Sequence, residues 1–320
     1  MEMAKLREPL FLQPVFQERI WGGDKLKSEF GYEIPSAKTG ECWAISAHQN
    51  GMCEIKNGRL KGQTLADVWT NHKELFGNET GTEFPLLIKI LDANQDLSVQ
   101  VHPDDTYAAE RENGQLGKTE CWYIIDCEEG AEIVYGHHAK SKEELAAMIE
   151  QGKWDELLRK VKVKRGDFFF VPSRTIHAIG AGIMILETQQ SSDLTYRVYD
   201  YDRTDDEGQA RELHIEPSIE VTAAPHEDAT ADAIVDQRSG LKSKRLKSCE
   251  YFTVYHWDLN GEANENTSGH YWLCSVLDGA GKITIDGQSY SFAKGDHFIV
   301  PTTVTTYQLA GQAELVVSHT

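Results

Sequence analysis

Arg165-Gly-Asp-Phe-Phe-Phe-Val-Pro-Ser-Arg-Thr-Ile-His177 returns late in the chain as Lys294-Gly-Asp-His-Phe-Ile-Val-Pro-Thr-Thr-Val-Thr-Thr306. The shared core, Gly-Asp-x-x-x-Val-Pro, reads as a glycine turn, a short buried strand and a proline that ends it. Upstream, Cys121-Trp-Tyr-Ile-Ile-Asp126 is echoed by Leu273-Cys-Ser-Val-Leu-Asp278. Two echoes in the same order predict two copies of one β-barrel unit. The copies differ where chemistry would sit: His177 answers to Thr306, and Glu120 to Trp272. A buried polar residue is costly without partners, so polar residues kept in one copy and dropped from the other read as equipment of a site.

Outward from these segments, most of the chain is short alternating or apolar runs punctuated by Gly, Pro and Asp, the pattern of strands. Leu86–Leu91, Leu97–Val101, Cys121–Asp126, Asp167–Val171, Gly182–Glu187 and Lys282–Asp286 are examples. Two stretches break the rhythm. Residues 64–77 carry Leu65, Val68, Trp69 and Phe76 near helical spacing, with Thr64 as cap and Gly77 as stop. Residues 141–161 open with the capping box Ser-Lys-Glu-Glu, and Gly152 should divide them into two helices. Both are expected as small helical insertions on a mainly β fold. Ala223–Lys247, poor in large apolar residues, is expected to link a first domain, 1–235, to a second, 240–320, that lacks the polar equipment.

Composition narrows the function. The 320 residues are 40% hydrophobic and 26% charged, an ordinary balance for a chain with a real core. A net charge of −19 repels nucleic acid, and no basic stripe with interleaved aromatics offsets it. No apolar run approaches the roughly 20 residues that span a bilayer, and the first residues do not read as a secretory signal. The six scattered cysteines contain no Cys-x-x-Cys pair, so core packing in the reducing cytoplasm is expected. An anionic ligand would need positive charge supplied locally.

Four polar positions stand out. In Leu97-Ser-Val-Gln-Val-His102, a strand would put Ser98, Gln100 and His102 on one face, either inside a barrel or at a solvated edge. Glu120 opens a run apolar enough to be buried on both faces, so it needs a cation; Lys118, on the same face, could be that partner. His177 follows the Val-Pro strand end among apolar neighbours and, alone, would read as a satisfied core histidine. Converging in one barrel, Gln100, His102, Glu120 and His177 would offer two imidazoles, a carboxylate and an amide oxygen. Such a set without thiolate suits Zn²⁺ with an open position, and Mn²⁺, Fe²⁺ or Co²⁺ would also fit. Arg197 and Arg203 could supply the local positive charge by forked phosphate contacts, or could pair with Asp193, Asp200 or Asp202.

With these residues in place, the chain resembles the type I mannose-6-phosphate isomerases in their short bacterial form, over nearly its whole length. The match runs through Arg19-Ile-Trp-Gly-Gly, Gly40-Glu-Cys-Trp-Ala-Ile-Ser, Pro85-Leu-Leu-Ile-Lys89, Leu97-Ser-Val-Gln-Val-His-Pro-Asp104, Gly117-Lys-Thr-Glu-Cys-Trp-Tyr, Pro172-Ser-Arg-Thr-Ile-His and Ser192-Asp-Leu-Thr-Tyr-Arg197. The resemblance implies two cupin-type jelly-roll barrels and one zinc ion per chain on the four residues above. It also implies the interconversion of mannose 6-phosphate and fructose 6-phosphate. It places the active-site arginine at Arg197, the pocket carboxylate at Glu187 and lysines at Lys89 and Lys118, with phosphate contacts at Ser98 and Arg203. Glu187 is the preferred proton-transfer base and Lys118 the alternative.

Two other classes fit less well. A metal-dependent oxygenase would use more histidines and leave Lys118 and Arg197 without a task. A non-catalytic sugar-binding protein would not need the first copy to keep every piece. His137-His138 looks like a metal pair but falls before a predicted helix and receives no role.

Overall fold

The computed structural model describes residues 6–205, 207–230 and 233–320, and its strands form three sheets. The fold is mainly β, as expected, and consistent with a jelly roll. A six-stranded sheet runs in the order Phe168–Val171, Glu120–Cys127, Ile183–Gln190, Leu86–Ala93, Thr39–Ile45 and Val15–Gly23. A five-stranded sheet runs Tyr196–Tyr199, Val99–Val101, His177–Ile179, Glu132–His137 and Leu158–Lys162. The two face each other across a shared apolar cluster that includes Leu91, Trp122, Ile124, Ile133, Tyr135 and Ile179.

Strand Leu86–Ala93 shows how sequence positions the site. Every residue in it is buried. Leu86, Ile88 and Ile90 pack behind the sheet, while Leu91 and Ala93 point into the barrel. Because successive side chains alternate, Lys89 also points inward, carrying a charge into the barrel. The same parity turns Glu120 and Trp122 inward on strand Glu120–Cys127, two places along the sheet, while Cys121 and Tyr123 pack outward.

The C-terminal sheet repeats this plan. Its path includes His297–Val300, Trp272–Ile285, Thr306–His319, Thr253–Asn266, Leu241–Ser248 and Ile234–Arg238, the same order as the six-stranded sheet with each strand's counterpart. The register agrees too: Val171 faces Glu120 in the first copy, and Val300 faces Trp272 in the second. The first described strand, Leu10–Gln13, joins this far sheet, with Leu10 opposite Ile299 and Phe11 opposite Phe298. Sheet membership therefore crosses the division expected near residues 235–240.

The helices are shorter than the apolar spacing suggested. Residues 64–77 form an α-helix at Leu65–Asn71, capped by Thr64, and a 3-10 turn at Lys73–Phe76. Residues 141–161 form helices Lys142–Glu150 and Trp154–Leu157, separated around Gly152. Leu158–Lys162 is a strand, a correction to the helical reading: after the buried Leu158 its side chains alternate between half-buried and exposed, which is the period of an edge strand. The linker reading of Ala223–Lys247 also needs correction, because Ile234–Arg238 and Leu241–Ser248 are paired strands. The first is exposed along its whole length, so it carries no apolar alternation for sequence reasoning to detect.

Candidate metal centre and active site

Glu120, His102 and His177 come from facing sheets and place one ligand atom each within 4.8 Å of one another. Glu120 Oε2 lies 3.6 Å from His102 Nε2, and Oε1 lies 3.4 Å from His177 Nε2. All three side chains are buried. Each imidazole is held from behind: His102 Nδ1 donates to the Leu194 carbonyl and His177 Nδ1 to the Thr175 carbonyl, both at 2.8 Å. A carbonyl only accepts, so the proton sits on Nδ1 and the Nε2 lone pair faces the cluster. Burial lowers both histidine pKa values, His177 to about 4, which keeps the rings neutral.

Glu120 Oε1 and His102 Nε2 have no hydrogen-bond partner. Buried orphan atoms of this kind are rare in native proteins, and here they converge. Gln100, directly across the sheet from His177, places its amide 3.3 Å from His177 Nε2. A half-turn of that amide exchanges its nitrogen for its oxygen, so Gln100 can add an oxygen donor. Two nitrogens and one or two oxygens, buried and pre-oriented, fit a divalent metal ion.

Above the cluster lies a cavity of about 330 Å³. Its lining includes Lys89, Ser98, Gln100, Lys118, Glu187 and Arg197. Two other cavities, of about 390 and 610 Å³, are larger; the convergent donor set and buried charges single out this one. Lys118 Nζ is 2.9 Å from Glu120 Oε2. Burial opposes its charge, but the Glu120 and Glu187 carboxylates outweigh that and hold its pKa above the usual lysine value. Glu187 behaves oppositely: burial first, and then the Glu120 charge, push its carboxyl up to about 7. Trp122 Nε1 donates to Glu187 Oε1 at 3.1 Å, and Lys89 Nζ stands 3.9 Å from Oε2. Lys89 in turn lies 4.0 Å from Glu41, whose pKa is about 2: burial would raise it, but Lys89 and Arg19 override this. Arg197 lies across the sheet from Gln100, with Nη1 donating to the Glu212 carbonyl and a buried, unpartnered Nε.

The structure thus brings all the sequence-selected residues but one to the cavity or the cluster beneath it. Arg203 is the exception. It bonds Asp200 Oδ1 through Nε and Nη2 at 3.0 and 2.7 Å, and it is absent from the cavity lining. Arg211, which shares Asp200, lines the cavity instead, alongside Arg19, Glu41 and Asp193. The sequence analysis gave none of the four a place in the site, and considered Asp193 only as an ion-pair partner for an arginine. Glu41 left a signal: like Glu120, it is a lone carboxylate at the head of an apolar run, Cys42-Trp-Ala-Ile45.

Comparison with known proteins follows the same lines. Residues 10–150 match the family described as phosphomannose isomerase type I, catalytic domain, and residues 242–320 match the mannose-6-phosphate isomerase cupin domain. The chain is 56% identical over 312 residues to a mannose-6-phosphate isomerase of Bacillus subtilis (strain 168), covering 98% of this chain and 99% of that one. A mannose-6-phosphate isomerase of Streptococcus mutans is 56% identical over 315 residues, with coverage of 98% and 99%. Among solved structures, a mannose 6-phosphate isomerase from Bacillus subtilis superposes with a TM-score of 0.97 at 51% identity, over 98% of this chain and all of that one.

Proposed function

The chain belongs to the type I mannose-6-phosphate isomerase family, and from that premise we propose how its residues divide the work. It is an aldose–ketose isomerase that interconverts mannose 6-phosphate and fructose 6-phosphate. The reaction moves one proton between C1 and C2 and another between their oxygens. The observation that carries the residue assignment is the convergence of the His102, Glu120 and His177 donors beneath a cavity walled by Lys89, Lys118, Glu187 and Arg197.

In this reading Gln100, His102, Glu120 and His177 hold one Zn²⁺, which when bound polarises the substrate carbonyl and stabilises charge developing on oxygen. The chain's own groups do the rest. Glu187 takes the proton from C2 of the aldose and returns it to C1. Burial holds its carboxyl above the ordinary carboxylate range, which suits both transfers. Lys118 remains an ammonium and donates hydrogen bonds to the substrate oxygens, and Arg197 balances the enediolate charge. Lys89 holds Glu187 in place, while Ser98 and Arg211 meet the phosphate end. Arg203 acts through Asp200, which orients Arg211. The six cysteines are free thiols, which accords with a cytoplasmic location, and no helix among the described residues is long and apolar enough to cross a membrane.

The test is a coupled assay of mannose 6-phosphate conversion before and after chelation, with zinc added back. Loss on chelation and restoration by zinc supports the assignment. Activity that survives complete metal removal refutes it.

A further inference from the structure

The second barrel has a cavity of its own, and it occupies the counterpart of the catalytic position. Starting from Val171 and Val300 as equivalent, the strand registers map Glu120 to Trp272, Lys89 to Tyr255, Leu91 to Trp257 and Glu41 to Ser243. Tyr255, Trp257, Trp272 and Ser243 all line the 390 Å³ cavity, just as Lys89, Leu91 and Glu41 line the catalytic one. The volume falls in the range of about 300–1,000 Å³ typical of ligand pockets.

The second copy lost its metal ligands, yet it did not fill the space or satisfy its polar atoms. Trp257 Nε1, Trp272 Nε1, Glu265 Oε1 and Arg245 Nε are buried without hydrogen-bond partners, and Trp257, Glu265 and Trp272 are 2%, 6% and 8% exposed. Each orphan costs folding free energy unless something meets it. All four residues belong to the lining of this one cavity.

We propose that this cavity is a second, metal-independent binding site for a neutral carbohydrate, with its hydroxyls met by the Trp257 and Trp272 indole N–H groups and by Glu265, Asp236 and Arg245. The geometry selects that class. Trp257 and Trp272 cross at 46° and Tyr255 and Trp272 at 63°, so they cannot sandwich a flat base; with the two indoles packed in the core, what they present to a ligand is their unpartnered N–H groups. Two carboxylates, Asp236 and Glu265, balance two guanidiniums, Arg238 and Arg245, in the lining. The site therefore has no excess of positive charge to hold an anion. Arg238 is already bound to both acids, at 3.0 and 2.6 Å. A sugar hydroxyl both donates and accepts, which is what a mixture of orphaned N–H groups and a carboxylate oxygen requires.

The experiment is an NMR titration of the full-length, zinc-loaded enzyme with D-mannose, D-glucose and β-1,4-mannobiose, following the indole N–H signals. The Trp257 and Trp272 signals are assigned with Trp257→Phe and Trp272→Phe. Trp122, whose indole bonds Glu187, reports the catalytic cavity independently. At least one sugar should shift Trp257 and Trp272 saturably, with a midpoint different from any change at Trp122. Arg245→Met and Glu265→Gln should each weaken that midpoint about tenfold or more, with kcat/KM for isomerisation and the circular dichroism spectrum of the folded protein unchanged. No saturable shift with any of the sugars, a shift confined to Trp122, or unchanged affinity in both folded variants would overturn the proposal.

Discussion

Glu187 and Lys89 face each other across adjacent strands, with Oε2 and Nζ 3.9 Å apart, and both side chains are about 4% exposed. Lys89 also stands 4.0 Å from Glu41, so one ammonium serves two carboxylates inside a β-sheet wall. Replacing it with methionine leaves both acids without that charge. Lys89→Met should cost about 3 kcal/mol of stability, readable by denaturant unfolding. It should also move the acid limb of the pH–rate profile upward. Loss of a neighbouring cation disfavours the carboxylate, so the Glu187 pKa rises and the basic form appears only at higher pH. An acid limb that stays put would mean that Lys89 does not set this pKa.

Removing the proposed base, Glu187, should separate chemistry from metal binding. In Glu187→Gln the amide keeps the size of the side chain and cannot take a proton. We expect kcat to fall by about 100- to 10,000-fold, with zinc content by elemental analysis equal to that of the parent. A near-normal rate would pass the role to Lys118.

Metal removal should register as stability as well as activity. The orphaned Glu120 Oε1 and His102 Nε2 gain partners only when a cation binds, and a ligand at about 1,000 times its Kd adds about 4 kcal/mol. Chelation should lower the melting temperature by about 5 °C or more, and zinc should restore it. In His177→Ala the chelator should leave the melting temperature unchanged. Equal sensitivity in parent and variant would place the stabilising ion elsewhere.

Glu314 ties the two barrels together. It accepts hydrogen bonds from Tyr123 at 2.7 Å and Arg165 at 2.8 Å in the first copy, and from His256 at 3.0 Å in the second. The hydrogen bond from His256, aided by those from Tyr123 and Arg165, outweighs burial and holds the carboxyl near 2. A depressed pKa contributes stability above the unfolded value of 4.5 and loses it as pH falls toward 2. Glu314→Gln should therefore be less stable by roughly 2 kcal/mol at pH 7, after allowance for partial solvent screening. The gap to the parent should close below about pH 2. A pH-independent gap would assign the effect to packing.

Part of this was legible in the sequence and part was not, for physical reasons. Gln100, His102, Glu120 and His177 announce themselves because each is a polar residue in an otherwise apolar strand, and the degraded repeat shows which polar positions the fold can do without. Arg211 leaves no such trace. It lies in a charged segment, Arg211-Glu-Leu-His214, and reaches the cavity because the chain turns back so that Asp200 can hold both Arg203 and Arg211. Strand Ile234–Arg238 escaped notice because an edge strand with every residue exposed needs no apolar face. Pairing across nearly the whole chain, as between Leu10 and Ile299, has no local signature at all.

That last pairing bears on how the protein is made. The strand Leu10–Gln13 leaves the ribosome long before its partner His297–Val300. A catalytic barrel folded during synthesis would carry an unsatisfied edge until that partner emerges, and closing so long a loop is slow. Premature termination anywhere before His297 strips that edge permanently. Truncated chains should accordingly be aggregation-prone and dependent on chaperones even when every metal-binding and catalytic side chain has already been synthesised.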